Sequence, residues 1–217
     1  MKPRLLDLFC GAGGCSVGYA RAGFEVVGVD IAPQPRYSFE FHRAEAMTFP
    51  LNGFDVIHAS PPCQRYSDLS KGNGNTDDYP DLVDPIRRRL LSSGKVFVIE
   101  NVEGAPLIEP VVLCGTAFSG LRVIRHRLFE SNVKLRGLPC KRHPLIARPH
   151  NWRRPHQAIL DQSKCFISVT GGGNSTVANA RQAMGISWMT KKELNQAIPP
   201  AYTEFIGRQL LLYLRTD

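Results

Sequence analysis

Residues 7–14 read Asp7-Leu8-Phe9-Cys10-Gly11-Ala12-Gly13-Gly14, and this stretch decides the fold. It continues the apolar run Arg4–Leu8 and precedes a predicted helix, Cys15–Ala22. A second apolar run, Glu25–Asp30, then ends in an acid. Glycines at such a turn let a ligand approach the backbone, and a strand-end acid can accept hydrogen bonds from two ribose hydroxyls. The pattern is typical of an adenosine site, although many glycine-rich turns are only tight turns.

The alternation of strand-like and helical patterns continues along the chain. Further strands are predicted at Val56–Ala59 and Val96–Glu100. Further helices are predicted at Asp81–Ser92, Thr176–Met184, Lys191–Gln196 and Ala201–Leu214. Strands that alternate with amphipathic helices predict an α/β fold in which helices cover a Rossmann-like parallel sheet.

The hydrophobic periodicity fails in residues 129–169, where Pro, Arg and His dominate. We therefore predict a main domain formed by residues 1–128 and 170–217, with residues 129–169 as a small irregular insertion. Within the insertion, residues 132–165 carry eight Lys and Arg residues against one acidic residue. Such a concentration of positive charge suits contacts with phosphates.

Composition limits the class of protein. A chain of 217 residues can form one substantial core, and its net charge of +8 favours a polyanionic partner. No apolar segment is long enough for a signal peptide or a membrane span, so we expect a cytoplasmic protein without membrane contact. The six cysteines are irregularly spaced and are predicted to be free thiols.

A cysteine follows two prolines directly after a predicted strand. Pro61 and Pro62 fix the backbone between Val56–Ala59 and Cys63. The thiol is therefore displayed on a stiff bend at the end of a strand. Because a thiol attacks as thiolate, a nucleophilic role for Cys63 requires acid, base and cationic groups elsewhere in the chain.

A carboxylate lies at the end of another predicted strand. Glu100 follows the apolar run from Val96, at the edge where open α/β sheets bind ligands. Partial burial would raise its pKa, so that it could serve as a general acid or donate a hydrogen bond to a ring nitrogen. The alternative is a glutamate that caps the following loop.

Three more charged residues are candidates for ligand contacts. Arg125 and Arg127 alternate with His126, which places both guanidinium groups on one face of an extended segment, where they suit a phosphate or a base carbonyl oxygen. A solvated basic edge strand explains them equally well. Glu45 could accept a hydrogen bond from an adenine amino group, or could simply be exposed in a loop.

Taken together and in this order, these motifs resemble those of the C5-cytosine DNA methyltransferases. The likeness rests on residues 7–14 as the cofactor loop, Pro62-Cys63-Gln64 as the nucleophile motif, Glu100-Asn101-Val102, and Arg125-His126-Arg127. The stretches Arg181–Ile186, Ala197–Tyr202 and Phe205–Gly207 are similar to the family's last two motifs. The resemblance covers most of the chain outside residues 129–169, and it implies a methyltransferase sheet that binds S-adenosylmethionine.

The resemblance also implies roles for individual residues. The implied catalytic residues are Cys63, Glu100, Arg125 and Arg127. The implied cofactor-binding residues are Asp7, Phe9, Gly11, Ala12, Gly13, Gly14, Asp30, Ile31, Glu45, Ala46, Pro62, Gln196 and Ala197. The implied substrate-binding residues are Gln64, Ser67, Asn101, Arg153 and Arg154. Lys71–Asn75 would be a mobile loop that closes over the base.

The implied reaction is methylation of cytosine in duplex DNA. Cys63 would add to C6 of a cytosine flipped out of the helix while Glu100 contacts N3 and the exocyclic amine. C5 then accepts the methyl group of S-adenosylmethionine, and S-adenosylhomocysteine and 5-methylcytosine are released. Arg127, with Arg125, would hold the base, and the enzyme is expected to act on DNA as a monomer.

Three features depart from the family pattern. Val123 stands where the family usually has Gln, and Asn195-Gln196 stands where it usually has Gly-Asn. The predicted target-recognition region, residues 129–169, is short, which implies few base contacts and a short or degenerate target. Phosphate contacts would then supply most of the affinity. Trp152 and residues 170–174 could approach the groove, although Trp152 could equally fill a small satellite core.

No metal site is predicted. Cys140-x-x-His143 is not followed by a regular second pair among His150, His156 and Cys165. Two alternatives to a DNA methyltransferase stay open: a tRNA cytosine-5 methyltransferase, since one branch of the family resembles such an enzyme, and a catalytically silent DNA-binding relative. A dinucleotide oxidoreductase would explain the glycine turn but not the Pro-Cys-Gln motif.

Overall fold

The computed structural model describes residues 1–67, 76–140, 143, 166–170 and 175–216. In this part of the chain seven strands form one sheet in the order β3-β2-β1-β4-β5-β7-β6. The strands are β1 (Arg4–Leu8), β2 (Glu25–Asp30), β3 (Glu40–Arg43), β4 (Val56–Ala59), β5 (Val96–Asn101), β6 (Val111–Leu113) and β7 (Arg127–Ser131). The helices are α1 (Gly14–Ala22), α2 (Val83–Ser92), α3 (Val177–Met184), α4 (Lys191–Gln196) and α5 (Pro200–Tyr213).

The first five strands of the sheet, from β3 to β5, are parallel, and β7 and β6 extend the sheet in antiparallel fashion. Strand order reverses between β1 and β4, because the chain moves outward from β1 to β3 and then returns to β4 on the other side of β1. Open α/β sheets bind ligands at such a switch point, outside the carboxyl ends of the strands. The fold therefore provides a crevice next to the glycine turn.

Helices cover both faces of the sheet. Neighbouring residues of a strand point to opposite faces, so Leu5 packs in the cluster with Tyr19 of α1 and Leu210 of α5, while Leu6 packs in the cluster with Ile86 of α2. Because both faces are buried, β1, β4 and β5 consist mostly of apolar residues on both faces, as expected for parallel strands. This burial explains why the sequence pattern located these strands.

The predicted α/β architecture is confirmed. The predicted strands at β1, β2 and β4 have the observed bounds, β5 extends one residue further to Asn101, and the predicted helices start and end within two residues of the observed ones. Strands β3 and β6 were not predicted, and for β7 only an extended segment at Arg125 and Arg127 was expected. Strands β3 and β6 are short, and β3 has no buried residue, so no apolar run marks it.

Strand β7 crosses the predicted domain boundary between residues 128 and 129. Residues 129–131 belong to the central sheet, and Val133 and Leu135 pack against its core. Ile167 and Val169 are also core residues, and Ile167 forms an isolated parallel bridge with Val123. The main domain thus includes both ends of the predicted insertion.

Among the described residues, no helix combines the length and the apolar character needed to cross a bilayer. The described cysteines are free thiols: Cys10, Cys15, Cys63, Cys114 and Cys140.

Candidate active site

A cavity of about 330 Å³ lies at the carboxyl ends of β1, β2, β4 and β5. It brings together fourteen of the predicted site residues: Asp7, Phe9, Gly11, Ala12, Gly14, Asp30, Ile31, Pro62, Cys63, Gln64, Glu100, Arg127, Gln196 and Ala197. Ten residues to which the sequence analysis assigned no site role also line it: Cys10, Cys15, Ala32, Gln34, Ser60, Pro61, Val102, Met189, Glu193 and Ile198. The candidate nucleophile, the acid and the glycine turn therefore share one cavity.

The glycine turn lies between β1 and α1. Gly11 has a φ of 49°, and a side chain placed there would meet no atom within 4 Å, so its backbone is open to the cavity. A Cβ at Gly14 would lie 2.6 Å from the carbonyl oxygen of Ile198, which explains the need for glycine at the start of α1. Asp30 holds the turn, since its Oδ2 accepts a 3.0 Å hydrogen bond from the Gly11 N–H.

Asp7 is a buried acid, and only one of its two carboxyl oxygens accepts a hydrogen bond from the described residues. Its Oδ2 accepts a hydrogen bond from the Ser16 hydroxyl, whereas its Oδ1 has no hydrogen-bond partner among the described residues. The pKa of Asp7 is raised to about 7, mainly by burial and also by the nearby Asp30 and Glu100 carboxyls, while the Ser16 hydrogen bond lowers it. A buried, partly ionised carboxyl that faces a cavity favours a cationic ligand.

Cys63 projects from the bend after β4 and is partly buried. The bend is fixed from two sides: Asn101 Nδ2 donates a 3.0 Å hydrogen bond to the carbonyl of Pro61, and the N–H groups of Tyr66 and Ser67 donate to the carbonyl of Cys63. Burial raises the pKa of the Cys63 thiol, the Glu100 carboxylate raises it further, and two arginines lower it. The thiol is therefore protonated at neutral pH while Glu100 is ionised.

Glu100 ends β5 with only 5% of its surface exposed. Its Oε1 lies 3.1 Å from Nε of Arg127, the first residue of β7. Burial raises the pKa of Glu100, while Arg127, a hydrogen bond from Ser60, and Arg125 lower it. The net effect is a raised pKa of Glu100, which is the direction that a carboxyl acting as a general acid requires.

Arg125 is placed differently from the catalytic role predicted for it. It is buried and does not line the cavity. Its guanidinium donates hydrogen bonds to the carbonyls of Val169 and Asn195, the latter at 2.7 Å. Burial lowers the pKa of Arg125 to about 9, and Arg127 lowers it further. Arg125 therefore ties two remote backbone segments to the edge of the site.

Five more predicted residues lie outside the cavity lining. Gly13 is the N-cap of α1, and Ala46 is 2% exposed and packs in the core. Glu45 is exposed, and its Oε1 accepts a 3.1 Å hydrogen bond from the Met47 N–H. Ser67 and Asn101 support the bend at Cys63, as described above. Arg153, Arg154, Trp152, Lys71–Asn75 and residues 171–174 lie outside the described residues.

A buried hydrogen-bond chain reaches Glu100 and was not predicted. Tyr19 OH lies 2.9 Å from His58 Nδ1, and His58 Nε2 lies 2.9 Å from Ser60 Oγ. Burial lowers the pKa of His58 to about 3, so the ring is neutral. Because the Ser60 hydroxyl donates to Glu100, its oxygen accepts from His58 Nε2–H and Tyr19 donates to Nδ1. In the sequence, His58 only interrupts an apolar strand.

The segments after the insertion close the other side of the cavity. Trp188 Nε1 donates a 2.8 Å hydrogen bond to the carbonyl of Ala12 in the glycine turn. Glu193 of α4 forms a capping box with Thr190 and an ion pair with Arg36, with 3.0 Å between Nη1 and Oε1. These contacts lock α4 against the glycine turn and the loop after β2.

Comparisons with known proteins agree with this geometry. Residues 3–106 match the family model of the C-5 cytosine-specific DNA methylases. The chain is 32% identical over 227 residues to the Type II methyltransferase M.AplI of Arthrospira platensis, covering 94% of this chain and 58% of the relative. It is 27% identical to the Type II methyltransferase M.HgiCI of Herpetosiphon aurantiacus, covering 77% of this chain and 41% of the relative. The chain thus spans less than two thirds of either relative.

Solved structures show the same fold. The Dnmt2 methyltransferase of S. pombe superposes with a TM-score of 0.60 at 14% sequence identity, and the match covers 99% of both chains. The methyltransferase EhMeth of Entamoeba histolytica superposes with a TM-score of 0.54 at 14% identity, covering 100% of this chain and 99% of the other.

Proposed function

We propose that this chain, whose residues 3–106 match the family model of the C-5 cytosine-specific DNA methylases, is a member of that family and methylates C5 of cytosine in duplex DNA with S-adenosylmethionine as the donor. The observation that supports this most is the shared cavity, where Cys63, Glu100 and Arg127 face the glycine turn. A nucleophile, an acid and a nucleoside-type pocket at one strand edge are the groups that this reaction requires.

The cavity suits a cationic nucleoside cofactor. Its volume of about 330 Å³ lies within the range of about 300–1,000 Å³ common for small-molecule sites. The buried Oδ1 of Asp7 lacks a partner among the described residues, and S-adenosylmethionine carries a positive sulfonium and an ammonium group. Gly11 offers open backbone, and Asp30 has lone pairs beyond those used by the Gly11 and Ala32 N–H groups. When bound, the cofactor supplies the methyl group and leaves as S-adenosylhomocysteine.

Cys63 and Glu100 would act on the pyrimidine together. The Cys63 thiol first loses its proton to solvent, the thiolate sulfur then forms a bond to C6, and the electron pair of the C5–C6 double bond moves toward N3 and O2. Glu100 in its protonated form donates to N3, which stabilises this charge. After C5 is methylated, loss of the C5 proton re-forms the double bond and expels the Cys63 sulfur.

The charge balance of the site favours this order of events. The ionised Glu100 carboxylate raises the pKa of Cys63, so protonation of Glu100 removes one obstacle to the thiolate. Arg127 and Arg125 favour the thiolate by their positive charge. Arg127 also orients Glu100 through its 3.1 Å ion pair and can reach a base carbonyl from the same position.

Duplex DNA as the substrate follows from the family and from charge. The net charge of +8 supports binding to a polyanion, and residues 132–165 hold eight of the cations. A target base must leave the helix to reach a partly buried thiol such as Cys63, at a cost of a few kcal/mol for unstacking. A cytoplasmic protein that acts on DNA as a monomer is the simplest assembly consistent with these features.

The test is transfer of labelled methyl groups to nucleic acid. We expect label in cytosine-containing duplex DNA, with the modified sites located by bisulfite sequencing. Cys63→Ser and Glu100→Gln should abolish turnover, whereas Glu109→Gln, an exposed glutamate, should not. Label in tRNA but not in DNA would overturn the DNA assignment, and no label in either would overturn the enzymatic one.

A duplex that contains 5-fluorocytosine separates chemistry from binding. Fluorine at C5 cannot leave as a cation, so the adduct to C6 persists. In the presence of S-adenosylmethionine, which methylates C5 and leaves only fluorine to be lost from it, the wild-type protein should form a covalent complex that survives denaturing electrophoresis. Cys63→Ser should form none, while another cysteine variant, Cys165→Ser, should still form it. Trapping that does not depend on Cys63 contradicts the proposed nucleophile.

A further inference from the structure

Four metal-binding side chains converge beside the candidate active site: Cys114, His126, Cys140 and His143. One ligand atom from each lies within 4.8 Å of all the others. The Sγ of Cys140 is 3.1 Å from His143 Nε2 and 3.5 Å from His126 Nε2, and the Sγ of Cys114 is 3.7 Å from His143 Nε2. Two thiols and two imidazoles in such proximity are the donors that zinc prefers.

The spacing agrees with tetrahedral coordination. Zn–S bonds of about 2.3 Å and Zn–N bonds of about 2.0–2.1 Å at tetrahedral angles place the ligand atoms roughly 3.3–3.8 Å apart. The three sulfur–nitrogen separations of 3.1, 3.5 and 3.7 Å fall close to this range. A small adjustment of exposed Cys140 and His143 would centre an ion among the four.

The surrounding groups are arranged as around a metal. His126 directs Nε2 toward the cluster, and its Nδ1 lies 3.2 Å from Oε2 of Glu103, a pairing that fixes the ring and the tautomer. The Thr116 hydroxyl lies 3.3 Å from Cys114 Sγ and 3.6 Å from Cys140 Sγ, where it can stabilise thiolate charge. These contacts are independent of the cluster geometry itself and point to the same ligand.

We propose that these four residues bind one structural zinc ion. All four positions are filled by protein side chains, which leaves none for water or substrate, so the ion would support structure and not catalysis. Cys114 directly follows β6, and His126 directly precedes β7. Cys140 and His143 belong to the segment after β7. The ion therefore ties the start of the basic, predicted recognition segment to the edge of the sheet.

This proposal departs from the sequence-based expectation of no metal. In the sequence, Cys140 and His143 form one pair, and His150, His156 and Cys165 further along the chain give no regular second pair. The structure supplies the partners from earlier positions, at Cys114 and His126, which the antiparallel pairing of β6 with β7 brings together.

The first experiment measures the metal content of the full chain, prepared without a histidine tag from zinc-supplemented cells. Mass spectrometry should find about one zinc per chain in the wild type. Cys140→Ser and His143→Gln should lose it, and both positions are exposed, so these variants should still fold. The matched controls Cys63→Ser and His42→Gln, which leave the cluster intact, should retain one zinc.

A second measurement uses cobalt as a spectroscopic probe and does not depend on activity. Co²⁺ added to metal-free protein should give the visible bands of tetrahedral coordination with a thiolate charge-transfer band, and Zn²⁺ should displace it. Zn²⁺ should also raise the melting temperature of the wild type but not of Cys140→Ser. The proposal is overturned by metal-free protein with no cobalt spectrum, by a Cys114–Cys140 disulfide in the purified chain, or by equal zinc in Cys140→Ser.

Discussion

Replacement of Asp7 by asparagine should remove the pH dependence of cofactor binding. Asp7 has a pKa of about 7 without ligand, because it is buried and near other carboxyls. A cationic cofactor binds the ionised form, so binding releases the proton and affinity rises with pH until Asp7 is fully ionised. Between pH 6 and pH 8 the ionised fraction rises about tenfold, which equals about 1.4 kcal/mol of binding free energy.

The Asp7→Asn substitution also measures how much the charge of Asp7 contributes to the free energy of cofactor binding. In the Asp7→Asn variant the amide oxygen can still accept the Ser16 hydrogen bond, but the side chain carries no charge. At pH 8 the variant should therefore bind S-adenosylmethionine more weakly by about 1.5–3 kcal/mol, the usual value for a charge-assisted hydrogen bond. At pH 6, where most of the wild-type Asp7 is protonated, the ratio of wild-type to variant affinity should be about tenfold smaller, so the difference in binding free energy should fall by about 1.4 kcal/mol.

Calorimetric titration with S-adenosylmethionine at several pH values measures both effects. The ratio of wild-type to variant affinity isolates Asp7, because other groups titrate in both proteins. Asp55→Asn, an exposed acid before β4, serves as the control and should keep the wild-type profile. If the ratio for Asp7→Asn is the same at pH 6 and pH 8, then Asp7 does not face the cationic ligand.

In the cofactor-free protein, ionisation of Asp7 has the opposite effect: it lowers the free energy of unfolding as the pH rises. The pKa of Asp7 is higher in the folded state, so its contribution to stability is complete below about pH 4 and is lost as pH rises toward 7. Above pH 7, ionised Asp7 should lower the free energy of unfolding by about 4 kcal/mol relative to a neutral asparagine. Urea unfolding at pH 5 and pH 8 should therefore show that Asp7→Asn loses less stability over this interval than the wild type does.

Two further predictions concern buried polar groups. Arg87→Met should destabilise the protein by about 3–5 kcal/mol, because Glu130 then lacks the buried partner that it contacts at 2.7 and 2.8 Å. The control Arg88→Met, on the exposed face of α2, should cost at most about 1 kcal/mol. Urea unfolding measures both. Ser60→Ala removes a donor that lowers the pKa of Glu100, so the alkaline limb of the pH–rate profile should move to higher pH. An unchanged limb would contradict the hydrogen-bond chain.

The strands that could be predicted from the sequence are those that are buried on both faces. In β1, β4 and β5 nearly every residue is buried and most are apolar, so the sequence alone marks them. Strand β7 contains Arg127 and Glu130, which are stabilised by partners distant in sequence, Glu100 and Arg87. Charged residues in a buried strand have no local signature, and in the sequence β7 therefore resembles the start of an irregular segment.

The same limit applies to the site. The carboxyl ends of parallel strands meet at one edge, which made Asp7, Asp30, Cys63 and Glu100 predictable as neighbours. Side-chain direction was less predictable. The alternation correctly placed the side chains of Arg125 and Arg127 on a different face from His126. It could not show that the guanidinium of Arg125 donates to the carbonyls of Val169 and Asn195, because these residues lie far along the chain.

Arg125, His126 and Arg127 connect three parts of the molecule through consecutive residues. Arg125 holds the carbonyls of Val169 and Asn195, whereas Arg127 pairs with Glu100. His126 points to Glu103 and the proposed zinc ligands, so its two neighbours and its own side chain fix the backbone from different directions. A backbone fixed in this way cannot shift at one residue without moving the other two. Order in the segment after β7 is therefore coupled to the position of the guanidinium that orients Glu100.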